Sequence, residues 1–167
     1  MHRYLLLAVS LLILLSSAHS GEEIPGAPQR QAIALMNAVV HTAAGPPIKY
    51  ATVVFDKGVI TVVAAGASAP TTARVVDCKG AHVYPGFIAP LTTLGLTEID
   101  AVRSTRDMSE AGSFNPNARA ETAYNPDSEL IPTVRSNGIL LANASPQGGT
   151  ISGQSSLMRL DGWTRED

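Results

Sequence analysis

Residues 82–88 read HVYPGFI, and the character of the sequence differs on the two sides of this stretch. Before it, short apolar runs alternate with turn-forming residues, which is typical of β-strands joined by tight loops. After it, strand-like runs alternate with a helix signal and long polar loops, as in βα units. The sequence therefore predicts an α/β protein with a β-rich N-terminus.

The N-terminal part carries five runs that predict β-strands. The third and fourth runs are joined by Asp56-Lys57-Gly58, a short glycine-containing connection that favours a tight β-hairpin. A further turn is predicted at residues 78–80. The predicted strands are Ile33–Met36, Val39–Thr42, Ala51–Phe55, Val59–Ala64 and Ala73–Asp77.

The C-terminal part is predicted to begin with a strand at Val83–Ile88. A helix is expected between the cap signals around Asn125 and the stop at Gly138. Because a proline past the first turn removes a backbone donor, Pro132 places the expected helix start near Ser128. Strands are then expected at residues 139–143 and 155–160.

The first twenty residues have the layout of a secretory signal peptide: basic Arg3, an apolar run over residues 5–15, and small residues ending in Ala18-His19-Ser20. The apolar run is shorter than the ~20 residues that span a bilayer. We therefore expect residues 1–20 to be removed on export to the periplasm or the extracellular space. Residues 21–31 are polar and form a linker.

Charge gives little reason to expect a polyanionic partner. Removing residues 1–20 takes away only Arg3 among charged residues, so 11 basic and 14 acidic residues remain, with a net charge of −3. No basic cluster is present, which disfavours nucleic acid and anionic membranes as partners. The oligomeric state is left open.

Three polar features have both a functional and a structural interpretation, and the structural one is favoured for each. Cys78 is the sole cysteine and has no neighbouring histidine in the sequence to activate it as a nucleophile. The glycine-rich loop at residues 146–153 lacks the lysine and following helix of a phosphate loop. The sequon at Asn143 ends an apolar strand.

The hairpin over residues 51–64, the turn after Asp77 and the stretch HVYPGFI together resemble the entry segment of the amidohydrolase superfamily, especially its imidazolonepropionase-like members. The resemblance covers roughly residues 32–167. It implies a partial β-sandwich over residues 32–84, followed over residues 85–167 by the first units of an incomplete (β/α)8 barrel. It also implies a hydrolase acting on non-peptide carbon–nitrogen bonds of a small-molecule substrate.

The resemblance further implies a His-x-His pair just after HVYPGFI, which in typical members holds zinc or another divalent metal. Leu91 and Thr93 occupy those positions here. Leucine offers no ligand atom and threonine only a weak neutral hydroxyl, so no metal site is expected on this strand. The remaining histidines of the exported chain, His41 and His82, are predicted to be structural and without a paired neighbour at ligand spacing. The catalytic residues stay unknown, and no cofactor is expected for this chain.

Four carboxylates follow this strand, at the end where barrel enzymes place their active-site loops. Their spacing is not diagnostic of a metal site, so a solvated acidic loop is favoured over metal binding. They are Glu98, Asp100, Asp107 and Glu110.

Length is a second departure from the family. A complete (β/α)8 barrel takes ~250 residues, whereas 83 residues follow Tyr84, which is expected to be room for about two βα units. We therefore expect the N-terminal fragment of an exported hydrolase. Two alternatives stay open: a catalytically degenerate fold that serves as a binding or structural module, and a small free-standing β-rich binding domain.

Overall fold

The computed structural model describes residues 28–162 and 164–166. The predicted signal peptide and most of the predicted linker lie outside these residues, so both stay predictions. The described chain is mostly β-structure with few helices, and its strands form two sheets. The β-rich N-terminus expected from the sequence is confirmed.

The first sheet contains five strands, with β1 at its centre. The order is β3-β2-β1-β4, and β5 also pairs with β1. The β1–β2 and β2–β3 pairs are antiparallel, whereas β4 and β5 run parallel to β1. The strands are β1 Ile33–Val40, β2 Ile48–Asp56, β3 Val59–Ala65, β4 Arg74–Asp77 and β5 His82–Val83.

The predicted hairpin is confirmed as the β2–β3 connection. Asp56 pairs with Val59, so only Lys57 and Gly58 form the loop. Both loop residues have positive φ, 47° for Lys57 and 77° for Gly58. This is the backbone that two-residue hairpin loops favour, because its twist matches that of the strands.

The break predicted between Met36 and Val39 is wrong, because β1 runs through it as one strand with an irregularity. The register with β2 shifts between Leu35 and Ala38, and Asn37 has a φ of 56°, a conformation that asparagine tolerates better than most residues. Asn37 Nδ2 donates to Asp77 Oδ1 at 2.9 Å. That hydrogen bond, with a second from the Lys79 backbone N–H, lowers the pKa of Asp77.

Small and β-branched residues form the core of the first sheet. Its buried members lie on β1 and β2, and half-buried Cys78 and Val83 pack against them. The Cys78 backbone N–H donates to Met36 O at 2.8 Å, and the Ala81 N–H donates to Cys78 O at 2.8 Å, which forms the predicted turn. Cys78 therefore has a structural place in the fold. The buried residues of this cluster are Ala38, Val40, Ala51 and Val53.

The single strand predicted at Val83–Ile88 is also wrong, because the chain leaves the first sheet after β5 and enters the second at β6, Phe87–Thr92. Pro85 has no N–H to donate to a ladder, which favours a break here. Gly86 then passes close to the second sheet: a Cβ at this position would lie 2.4 Å from Leu140 Cδ1. HVYPGFI is thus a crossing between sheets.

The second sheet contains β6, β7 (Ile139–Ala144) and β8 (Ser156–Arg159), in that order. β6 and β7 are parallel, and between them lie a short 3-10 helix and two α-helices, α1 (Ala120–Ala123) and α2 (Leu130–Ser136). β8 is antiparallel to β7. Because the strands of a (β/α)8 barrel are all parallel, the described residues contain one crossover of that type and β8 does not extend it.

The predicted helix is α2, which begins two residues after the expected start. Ser128 Oγ instead accepts a hydrogen bond from the Leu130 N–H at 3.3 Å, just before the helix. Pro132 is the third helical residue and so lies in the first turn, where a proline is tolerated. Gly138, with a φ of 88°, ends the helix as predicted.

A second core joins α1 and α2 to one face of the second sheet. The predicted helix and strands contain four of its nine buried residues, and α1 was not predicted. Within the described part of the chain, no helix is long and apolar enough to cross a bilayer. The buried residues are Leu94, Leu96, Ala120, Tyr124, Ile131, Ala142, Ala144, Met158 and Leu160.

Candidate functional site

The candidate site lies at one edge of the second sheet. Because β6 and β7 are parallel, both end at this edge, and the Ser145 N–H donates to Thr92 O at 2.8 Å. Long loops follow, at residues 93–119 after β6 and 145–155 after β7. Ligands of open α/β sheets bind outside the carboxyl ends of the strands, so these loops are the place to look for a site.

The two loops are joined by backbone hydrogen bonds, which decides the role of the glycine-rich segment 146–153. Its amides donate to carbonyls of the first loop: Gln147 N to Met108 O at 2.7 Å, and Thr150 N to Ser113 O at 2.7 Å. Donors that are used in this way cannot also cradle an anion. The structural interpretation of this loop is therefore supported over the phosphate-loop interpretation.

Close backbone approach explains the glycine at position 149. Gly149 has a φ of 64°, and a Cβ there would lie 2.8 Å from both Cα and O of Ser113. A side chain would push the two loops apart.

A cavity of about 370 Å³ opens beside the first loop, lined by Arg103, Arg106 and Ser109. Arg106 Nε lies 3.6 Å from Asp100 Oδ1, and both side chains are largely exposed, so this ion pair is weak. Two guanidinium groups and a hydroxyl can bind a carboxylate or another small anion through charge-assisted hydrogen bonds. These arginines were not predicted from the sequence, although their spacing of three in a polar loop was a usable signal.

The first loop has its own internal order, which holds the arginines. The Thr105 hydroxyl donates to Val102 O at 2.9 Å and accepts from the Ile99 N–H at 3.1 Å. The Asp107 N–H donates to Leu96 O at 2.8 Å, which fixes the base of the loop to a buried residue. The cavity wall is therefore anchored to the second core.

The four carboxylates do not converge. Glu98 accepts hydrogen bonds from Ser128 Oγ at 2.9 Å and from Asn125 Nδ2 at 3.2 Å, so it joins the loop to the segment before α2. Asp100 faces Arg106, and Asp107 and Glu110 are exposed. The described residues contain no group of three or more His, Cys, Asp or Glu side chains that could hold a metal ion. Glu98 is therefore held by hydrogen bonds and is not a solvated loop residue, whereas Asp107 and Glu110 are exposed.

Leu91 and Thr93 lie at the end of β6 and just beyond it. Leu91 is 75% exposed and Thr93 is half-buried. Neither supplies a nitrogen or carboxylate ligand, and no metal-binding group has formed around them among the described residues. The residues present at this edge therefore do not fit the metal that the resemblance implies.

Two hydroxyls beside this edge are buried without a hydrogen-bond partner in the described structure, Thr97 Oγ1 and Tyr124 Oη. Burial raises the pKa of the Tyr124 hydroxyl above its ordinary value of 10.0. Gly95 packs on the Tyr124 ring, and the Asn125 N–H donates to Gly95 O at 2.8 Å. The loop after β6 is thus packed tightly against the segment that follows α1.

The prediction that His41 and His82 have no paired neighbour is wrong. Parallel pairing of β5 with β1 brings them together, and His41 Nε2 lies 2.9 Å from His82 Nδ1. Sequence spacing could not reveal this, because 41 positions separate the two residues. The pair lies in the first sheet and is not part of the loop edge.

Asn143 of the sequon is half-buried on β7. Its Nδ2 donates to Pro90 O at 3.1 Å, across to β6. This amide therefore stabilises the sheet, which agrees with the structural interpretation of the sequon.

Comparison with known proteins gives similarity in fold alone. No protein-family model matches the sequence, and no curated protein sequence matches it significantly. Among solved structures, an amidohydrolase from Thermotoga maritima MSB8 is similar over 80% of this chain, with 24% identity and a TM-score of 0.75. A prolidase complexed with n-methylphosphonate-l-proline has 22% identity and a TM-score of 0.48 over 66% of the chain. This chain spans 35% of the first structure and 25% of the second. The described chain thus has an amidohydrolase-like fold at partial coverage.

Proposed function

We propose that this chain is part of an exported amidohydrolase-like protein that hydrolyses non-peptide carbon–nitrogen bonds, with residues 85–167 at the start of a (β/α)8 barrel. The observation that carries the proposal is the similarity in fold to the Thermotoga maritima amidohydrolase, at a TM-score of 0.75 over 80% of the chain. The position of the loops, at the edge where parallel strands end, supports it.

Within that protein, the described residues would bind and orient the substrate. Arg103 and Arg106 line the cavity at the loop edge, and Ser109 adds a hydroxyl. Guanidinium groups recognise carboxylates, so the substrate class we propose is a small amide or cyclic amide that carries a carboxylate. The described residues offer no metal-binding group, so we assign them no bond-breaking step.

A second candidate is a degenerate fold that binds such a molecule without cleaving it. The specific observation in its favour is that Leu91, 75% exposed, and Thr93 offer no metal ligand at the end of β6. In this case the arginine cavity would still bind a small carboxylate. The two candidates therefore share a ligand class and differ in turnover.

The experiment compares turnover with binding. Protein that contains this sequence, captured from its source with an antibody against residues 93–119, is incubated with N-acetyl amino acids and carboxylated cyclic amides. The methyl esters of the same compounds are the matched controls. Release of amine from the acids but not from the esters is the result we expect.

Binding without release of amine would favour the degenerate module. If none of these compounds is bound and none releases amine, both candidates are overturned. In the expressed 167-residue chain, Arg103→Gln should weaken carboxylate binding roughly 10- to 150-fold, since a charge-assisted pair contributes roughly 1.5–3 kcal/mol. Arg159→Gln, on β8 and away from the cavity lining, is the control and should leave binding unchanged.

A further inference from the structure

The two arginines that line the cavity differ in their partners. Arg106 Nε lies 3.6 Å from Asp100 Oδ1, so one guanidinium already faces a carboxylate of the chain itself. Among the residues that the structure describes, Arg103 forms no ion pair. A ligand that enters the cavity therefore meets one arginine without a charged partner and one arginine that has such a partner.

The loop backbone between the paired residues is fixed. Thr97 and Arg106 form an antiparallel bridge, and the Glu98 N–H donates to Thr105 O at 3.1 Å. Ile99 precedes the paired aspartate, and its N–H and its carbonyl oxygen both bind the Thr105 hydroxyl. With the backbone held in this way, a ligand can separate the ion pair most readily by turning a side chain.

The Asp100 side chain is the one that can turn. It is 85% exposed, and its contact with Arg106 is its only ion pair or hydrogen bond among the described residues. The carboxylate of a ligand is the same chemical group as the carboxylate of Asp100, so both seek the same guanidinium donors. Two carboxylates on one guanidinium also repel each other. Binding of a ligand carboxylate to Arg106 therefore favours release of Asp100 into solvent.

We propose that Asp100 is an internal competitor for the substrate carboxylate: it pairs with Arg106 in the free protein and is displaced when the ligand binds. This inference rests on the proposed function, because it takes the arginine cavity as the site of that carboxylate. Asp100 thereby contributes to specificity. An anionic group on the ligand can take its place on Arg106, whereas a neutral ester or amide cannot.

The strength of the competition follows from the exposure of the pair. An exposed ion pair is favoured over its open form by a factor of only roughly 1.4 to 5. Arg106 is then unpaired in about 15–40% of molecules, and the affinity for a ligand that needs it is reduced by that fraction. Removal of the Asp100 carboxylate should therefore strengthen carboxylate binding about two- to sixfold.

The test is a nuclear magnetic resonance titration of the full 167-residue chain with N-acetylglycine, and with its methyl ester as the neutral probe. Asp100→Asn should strengthen binding of the acid about two- to sixfold and leave binding of the ester unchanged. In an Arg106→Gln background, the same substitution should have no effect, because the competitor has lost its target. This double-mutant cycle separates a direct pair from two independent effects.

Asp107→Asn is the matched control. It removes the same charge from an exposed carboxylate that lies beside Arg106 in the sequence and forms no ion pair among the described residues. Only long-range attraction is then changed, which salt screens, so the affinity should change by less than about 1.5-fold at physiological ionic strength. An equal gain in Asp100→Asn and Asp107→Asn would mean that net charge alone acts, and would overturn the proposal.

A second measurement needs no substitution. In the ¹³C-labelled chain, the carboxyl signal of Asp100 should shift as N-acetylglycine binds, because the carboxylate exchanges a guanidinium for water, while the carboxyl signal of Asp107 should stay in place. An Asp100 signal that does not move at saturation would overturn the proposal.

The titrations also separate this inference from the proposed function. If neither the unchanged chain nor Asp100→Asn binds the acid, the proposed ligand class is wrong, and this inference fails with it. If the unchanged chain binds the acid and Asp100→Asn brings no gain, this inference alone is overturned.

Discussion

Gly95→Ala tests how tightly the loop after β6 is packed. Gly95 has a φ of 75°, and an added Cβ would lie 2.4 Å from Tyr124 Cε2 and 2.5 Å from Cδ2. The left-handed backbone costs an alanine about 1–2 kcal/mol, and overpacking a core costs about 1–3 kcal/mol. Because Tyr124 is 7% exposed, its ring cannot swing away into solvent, so both costs apply. We expect the free energy of unfolding to fall by about 2–5 kcal/mol.

Gly112→Ala is the matched control. Gly112 also has positive φ, 87°, but no atom lies within 4 Å of a Cβ built there. Only the backbone cost of about 1–2 kcal/mol should appear. Urea unfolding of both variants of the full chain, followed by circular dichroism, measures the difference. Equal losses, within about 0.5 kcal/mol, would show that the contact between Gly95 and Tyr124 is not tight, and the reasoning would fail.

Three further predictions concern the N-terminus, alkaline pH and the end of β6. Protein recovered from the extracytoplasmic fraction should begin at or near Gly21 on N-terminal sequencing, and an intact Met1 on a cytosolic product would exclude export. Because burial raises the pKa of Tyr124, the stability due to its neutral hydroxyl is present below pH ~10 and lost as pH rises through the folded-state pKa. The free energy of unfolding of Tyr124→Phe should therefore fall less at alkaline pH than that of the unchanged protein. Urea unfolding at a series of pH values measures this, and an equal alkaline loss in both proteins would contradict the prediction. Calorimetric zinc titration of Leu91→His/Thr93→His in a His41→Ala background should show only weak binding, since a catalytic zinc site takes about three protein ligands; tight stoichiometric binding would refute this.

Local signals predicted local structure well. The hairpin around Lys57-Gly58 follows from the demand of a two-residue loop for positive φ, and the end of α2 follows from Gly138. Both depend on residues that are adjacent in sequence. The strand boundaries around HVYPGFI did not follow, because the contact of Gly86 with Leu140 joins residues that are distant in the chain.

The candidate site was predictable only in its location. A sequence pattern can place a loop after a strand, and it placed the carboxylates there. It could not show that Glu98 binds Ser128 or that Arg103 and Arg106 line one cavity, since both depend on how the loop folds back. Pairing of His41 with His82 was missed for the same reason: parallel strand pairing leaves no short-range spacing to read.

The central position of β1 has a consequence for the order of folding. β2 and β3 are joined by two residues and can pair as soon as both exist. The partners of β1 on its other side are far along the chain: Ile33 pairs with Arg74, and Val39 pairs with His82. Loop closure over such separations is slow, because the chain loses conformational entropy before any stabilising contact between the strands has formed. The β2–β3 hairpin should therefore form early. The edge of β1 that pairs with β4 and β5 should stay unpaired until the chain as far as residue 83 is free to fold.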